Sequence, residues 1–143
     1  MGLYFGSMLL TVISNVAYHV SQRSITAKIN PLLSLTLTYM VALATTLVVF
    51  PFFSSPGAGS LGQQIKSINW ATYSLGLAVV GLELGFLLAY RSGWKVSIAA
   101  LFSNALVTLL LIPVGMLFFR EQLDPKKILG IALASVGLWL IGA

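Results

Sequence analysis

Three acidic side chains occur in the 143-residue sequence, and one of them stands apart. Glu121 and Asp124 share a short polar turn, whereas Glu83 lies alone near the middle of an apolar run from about residue 69 to 90. An ionisable group at that depth in a membrane span is costly and marks a solute path, an ion site or a proton relay. A carboxylate there escapes the cost by taking up a proton or by holding a cation. A site that takes either one, but not both together, couples a proton gradient to the movement of the cation. The structural alternative is a Glu83 that stays protonated and hydrogen-bonds a neighbouring helix.

Other polar side chains fall at helical spacing. Asn15, Tyr18, His19 and Gln22 stand at i, i+3, i+4 and i+7, so a helix puts them on one face, which should turn toward protein or water. Asn15 lies mid-span and can offer its amide to a ligand. Tyr18 and Tyr39 can meet a cation with a ring face. His19 has an ordinary pKa near 6.5 and is a candidate pH sensor; the plainer reading is that it and Gln22 meet lipid headgroups near the end of the span. Ser97, Asn104 and Thr108 make a second polar row. Asn104 matches Glu83 in depth, where an amide serves equally as a ligand contact or as a bond between helices. Thr45 and Thr46 are weaker candidates, because threonine hydroxyls in helices bond back to their own carbonyls. The candidate solute- and proton-binding set is Glu83, Asn15, Tyr18, Asn104 and Tyr39.

Other chemistry lacks its reagents. There is one histidine and no cysteine, and the sequence contains no HExxH, no GxxxxGK and no serine with a Lys or His at a suitable depth. An enzyme is not expected, nor is a metal, nucleotide or other cofactor.

These residues must be positioned by helices in lipid. Hydrophobic residues make up 58% of the chain and charged ones 8%, with a mean hydropathy of +0.97, against roughly 25% charged in soluble domains. Five segments match the ~20 apolar residues that a crossing requires: about 2–20, 32–53, 69–90, 96–119 and 126–142. The expected fold is an all-α integral membrane protein forming one domain over residues 1–143. The turn Arg91-Ser92-Gly93-Trp94-Lys95 is short enough to make the third and fourth spans antiparallel neighbours. Asp124 as N-cap and Pro125 at the first helical position set the start of the fifth span, and Pro113 predicts a kink in the fourth. Gly81 with Gly85, and Gly130 with Ala134 and Gly137, form small-residue faces for close helix packing. Trp70, Tyr73, Tyr90 and Trp94 fall near span ends, where aromatic rings anchor at the headgroups. The net charge of +5 sits in the polar turns and points to anionic lipid, not to nucleic acid.

Orientation follows from those charges. Five spans place Lys66, Arg120, Lys126 and Lys127 on one face and Arg23, Lys28, Arg91 and Lys95 on the other, four against four. The positive-inside bias then selects neither orientation. A chain that inserts both ways can pair with an opposed copy, giving the inverted arrangement used by many secondary transporters. An antiparallel homodimer is expected.

The C-terminal third also carries a pattern, in Leu111-Ile112-Pro113-Val114-Gly115, Phe118-Phe119-Arg120-Glu121, Leu123-Asp124, Gly130-Ile131-Ala132-Leu133 and Val136-Gly137. It resembles the EamA-like domain of the drug/metabolite transporter superfamily. The first 60 residues share with it only the number and length of helices. The resemblance implies a five-helix half-transporter, since EamA-like proteins commonly hold two such halves in inverted topology and export metabolites or drugs through a central cavity. It implies a structural place for Glu121 and assigns no role to Glu83.

Together these readings lead to the expectation of a secondary transporter in a prokaryotic cytoplasmic (inner) membrane. It would be a proton-coupled exporter of small organic, cationic or zwitterionic, metabolites or drugs. A non-transporting subunit, such as half of a lipid-carrier flippase, and a passive channel stay open as alternatives.

Overall fold

The computed structural model describes residues 2–53, 57, 59–120 and 124–142, with only the helical backbone at 125–127, 138, 141 and 142. All regular structure among the described residues is helical, with no strand among them. In order they form α1 (Gly2–Ser24), α2 (Pro31–Val49) continued by a 3-10 turn (Phe50–Phe53), α3 (Leu61–Lys66), α4 (Trp70–Arg91), α5 (Val96–Phe118) and α6 (Pro125–Gly142). Among the described residues, four stretches are long and apolar enough to cross a membrane: Gly2–Ser24, Pro31–Phe53, Trp70–Arg91 and Val96–Phe118. The chain is a helical protein of membrane type. Among the described residues of α6, Ile128–Gly137 form an apolar helical stretch.

Local chemistry sets the helix ends. The Asn30 side chain accepts from the backbone N–H groups of Leu32 (2.9 Å) and Leu33 (3.3 Å), while Pro31 fills the first position of α2, where a missing N–H leaves nothing unpaired. Asn69 caps α4 through the Ala71 N–H at 3.0 Å. The segment between α2 and α4, which reads as loop in the sequence, contains α3. Its Ser60 and Gln63 side chains bond reciprocally to each other's backbone N–H, the capping box that lets so short a helix form. Gly93, at φ 104°, supplies the left-handed turn after α4. α5 runs through Pro113 without interruption and ends with the Phe119 N–H on the Gly115 carbonyl at 3.1 Å. Arg120 follows at φ 53°, the left-handed position that commonly closes a helix. α6 begins at Pro125, with the Ile128 N–H on the Asp124 carbonyl at 3.2 Å; Glu121 lies outside the described residues.

The chain divides into two compact units, with one boundary inside α1: residues 1–20 with 93–143, and residues 21–92. In the second unit α2 packs on α4, and Leu35, Leu87 and Tyr90 are buried together with Ser34 and Gln22. In the other unit α5 packs on α6, and Ala99 and His19 are buried. Of the rings expected to anchor at the headgroups, Trp70 and Tyr73 are exposed near the start of α4. Tyr90 corrects that expectation: it is 1% exposed and belongs to the core, stacked on Phe86 with ring centroids 5.9 Å apart.

Candidate functional site

One stripe of α4 organises the 21–92 unit. Thr72, Gly76, Val80, Glu83, Leu87 and Tyr90 recur at intervals of three or four, so they lie above one another on a single face. The two ends of this stripe differ. Leu87 and Tyr90 are packed shut, at 0 and 1% exposure. Thr72, Gly76 and Val80 are exposed and, with Leu75, Val79 and Tyr39 of α2, line a groove of about 420 Å³. Glu83 stands half-buried where the groove side meets the packed side.

The packed end is held by three side chains that reach backbone carbonyls. Gln22, 5% exposed at the end of α1, donates through Nε2 to the Glu83 carbonyl at 3.5 Å. Arg23 donates through Nη1 to the Tyr90 carbonyl. Arg91 donates through Nη2 to the carbonyls of Thr26 (3.3 Å) and Ile29 (2.8 Å). The Tyr90 carbonyl is among the last of α4, which lack intrahelical donors and carry partial negative charge, so the Arg23 guanidinium is suited to this place.

The Glu83 carboxylate is the reactive group of the site. Its Oε2 atom is buried and has no hydrogen-bond partner among the described residues. The Tyr39 hydroxyl is buried and unpartnered in the same sense, and it lies within electrostatic reach of the Glu83 charge. A buried carboxylate oxygen left without a donor costs several kcal/mol, on the order of 1–3 or more for a charged group. Such a group gains by binding a proton or a cation, and a phenol ring can face a cation.

The remaining candidates separate from this pair. Asn15, Tyr18, His19 and Asn104 belong to the unit formed by residues 1–20 and 93–143. The polar face of α1 does not turn inward as a whole: Asn15 is exposed, Tyr18 half-buried, and His19 and Gln22 buried. The expectation that His19 and Gln22 meet headgroups is thereby corrected, since each is 5% exposed. Tyr18 and His19 meet edge to face, with centroids 5.1 Å apart. Asn104 is exposed and lines a second groove of about 420 Å³ between α5 and α6, together with Thr108, Gly130 and Ala134. The Thr45 and Thr46 hydroxyls bond back to the carbonyls of Val41 and Ala42, both at 2.8 Å, as expected of threonine in a helix.

Sequence reasoning missed the parts played by Gln22, Arg23 and Arg91. Gln22 carried a signal in its i+7 spacing from Asn15. The two arginines read only as positive charge at span ends, because no local pattern reveals which carbonyls they reach. No family model matches this chain, and no curated protein or solved structure matches it either.

Proposed function

We propose that this protein is a secondary transporter, a proton-coupled exporter of small organic cations or zwitterions, in which Glu83 binds solute and proton in alternation. The observation that carries the reading is the buried, unpartnered Oε2 of Glu83 on a helix long and apolar enough to cross a membrane, with a second buried, unpartnered polar atom in the Tyr39 hydroxyl of α2, which packs on α4. A group that served only to pack helices would be expected to have found a donor. The resemblance of the C-terminal third to EamA-like domains supports the same class. In this reading α6 is a fifth span, and the chain is one half-transporter in a prokaryotic inner membrane, completed by an antiparallel second copy. The small-residue faces favour such a completion: a methyl group added at Gly81, Gly85, Gly130 or Gly137 meets nothing within 4 Å, so these faces are free for another helix.

The test is competition between protons and an organic cation at equilibrium. With tetramethylammonium as probe, the apparent Kd of the detergent-solubilised protein should rise up to tenfold per unit of acidification once Glu83 protonates. Glu83→Gln should bind weakly at every pH. Binding that does not change with pH, or that survives in Glu83→Gln, overturns the proposal.

A further inference from the structure

The geometry points to the α2/α4 groove as a binding site for the apolar body of the solute, with Glu83 holding its cationic head, so that the substrate class is an ammonium compound bearing an aromatic or compact aliphatic group. This inference rests on the proposed role of Glu83 and adds a second, separable half to the site.

Access to Glu83 along the α4 stripe is one-sided. Toward the C-terminal end of α4 the face is sealed by Leu87 and Tyr90, and Gln22 covers the Glu83 backbone. Toward the N-terminal end the same face is open, and Val79 and Val80, one helical turn before Glu83, line the groove. Tyr39, on the α2 helix that packs on α4, lines the groove together with the α4 stripe.

The groove is apolar where it would receive a body. Leu75, Gly76, Val79 and Val80 carry no polar side-chain atom, leaving Thr72 and Tyr39 as its polar members. From Thr72 to Val80 the α4 backbone rises about 12 Å, and Glu83 lies about 4.5 Å further on. A phenyl or cyclohexyl group fits that length with its ammonium at Glu83. The volume of about 420 Å³ lies within the range of small-ligand pockets, roughly 300–1,000 Å³. A free amino acid fits this arrangement poorly, because its carboxylate would face an apolar wall and a negative charge. Gly76 keeps the floor of the groove low, and a Cβ added there meets no atom within 4 Å. Enlarging it should fill the groove without disturbing the packed end.

The experiment compares benzyltrimethylammonium with tetramethylammonium in equilibrium binding to the full chain, for wild type, Gly76→Leu, Val80→Trp and Glu83→Gln. The wild type should prefer the benzyl compound by at least about tenfold, the low end of what a hydrophobic pocket yields for a small apolar increment. Gly76→Leu and Val80→Trp should each reduce the ratio of the two affinities, benzyltrimethylammonium over tetramethylammonium, to about twofold or less. Equal affinities in the wild type, or a preference that survives both groove variants, would overturn the groove assignment. That failure leaves the carrier reading standing as long as tetramethylammonium binding depends on Glu83. Failure of both cations to bind the wild type would overturn the carrier reading itself, and the groove assignment with it.

Discussion

Gln22 and Glu83 lie 61 positions apart in sequence, yet the Gln22 side-chain amide donates to the Glu83 backbone carbonyl at 3.5 Å. The contact ties the last turn of α1 to α4 at the residue that carries the buried carboxylate. At 3.5 Å it is a long hydrogen bond, so its contribution is small. Its value is positional, because Gln22 is buried and fills the space beside the Glu83 backbone.

Gln22→Ala should therefore lower stability by about 1–2 kcal/mol, combining a weak hydrogen bond with a partly collapsed void. Thermal aggregation followed by size-exclusion chromatography measures this. Gln22→Glu should be worse than Gln22→Ala, because it brings a second carboxylate toward Glu83. Equal stability of all three proteins would remove Gln22 from the site.

Arg91 bridges from the end of α4 to two carbonyls of the turn after α1. Both bonds are charge-assisted, and the residue is half-buried, so Arg91→Ala should cost about 2 kcal/mol. Arg91→Lys keeps the charge but loses the planar fork and should recover less than half of that. Hydrogen exchange at residues 24–30 should speed up in both variants, and more in the alanine protein. Unchanged exchange there would show that the bridge does not hold the turn.

The caps can be tested separately from the site. Asn30→Ala removes the acceptor for two N–H groups of α2 and should cost about 1 kcal/mol, with Asn30→Asp close to wild type. Ser60→Ala should unravel α3, whose six residues have little other support, and exchange over 61–66 should rise to that of a loop. The proposed transport should be unaffected by Ser60→Ala.

The charge balance predicts two orientations. Native cysteine is absent, so a single Ser92→Cys substitution reports its side cleanly through an impermeant maleimide. About half of the chains should label from outside in intact cells, because the basic count is tied. The double change Lys28→Ala and Lys95→Ala should shift labelling strongly toward the outside. A wild-type chain that labels wholly from one side would contradict dual insertion.

Much of this architecture is legible in the sequence because it depends on local rules. Runs of about 20 apolar residues mark the spans, and Asn30-Pro31 marks the start of α2. Glu83 stands out because a lone carboxylate in such a run has few bland explanations. α3 was hidden for a different reason: the polar, glycine-bearing composition of residues 54–67 outweighs the Ser60-x-x-Gln63 signature within it. Tyr90 was misread because an aromatic residue near a span end suits an anchor and a core equally well, and only the fold decides between them. Which helices meet is not encoded in spacing, so the Gln22–Glu83 contact and the Arg91 bridge required the structure.

Solute-driven proton movement in proteoliposomes reads out coupling through Glu83 itself. An imposed outward gradient of tetramethylammonium should drive protons inward through the wild-type protein, and the signal should vanish in Glu83→Gln while that variant keeps its fold and oligomeric state. Cation flux without proton movement, or proton movement that persists in Glu83→Gln, would contradict coupling through this carboxylate.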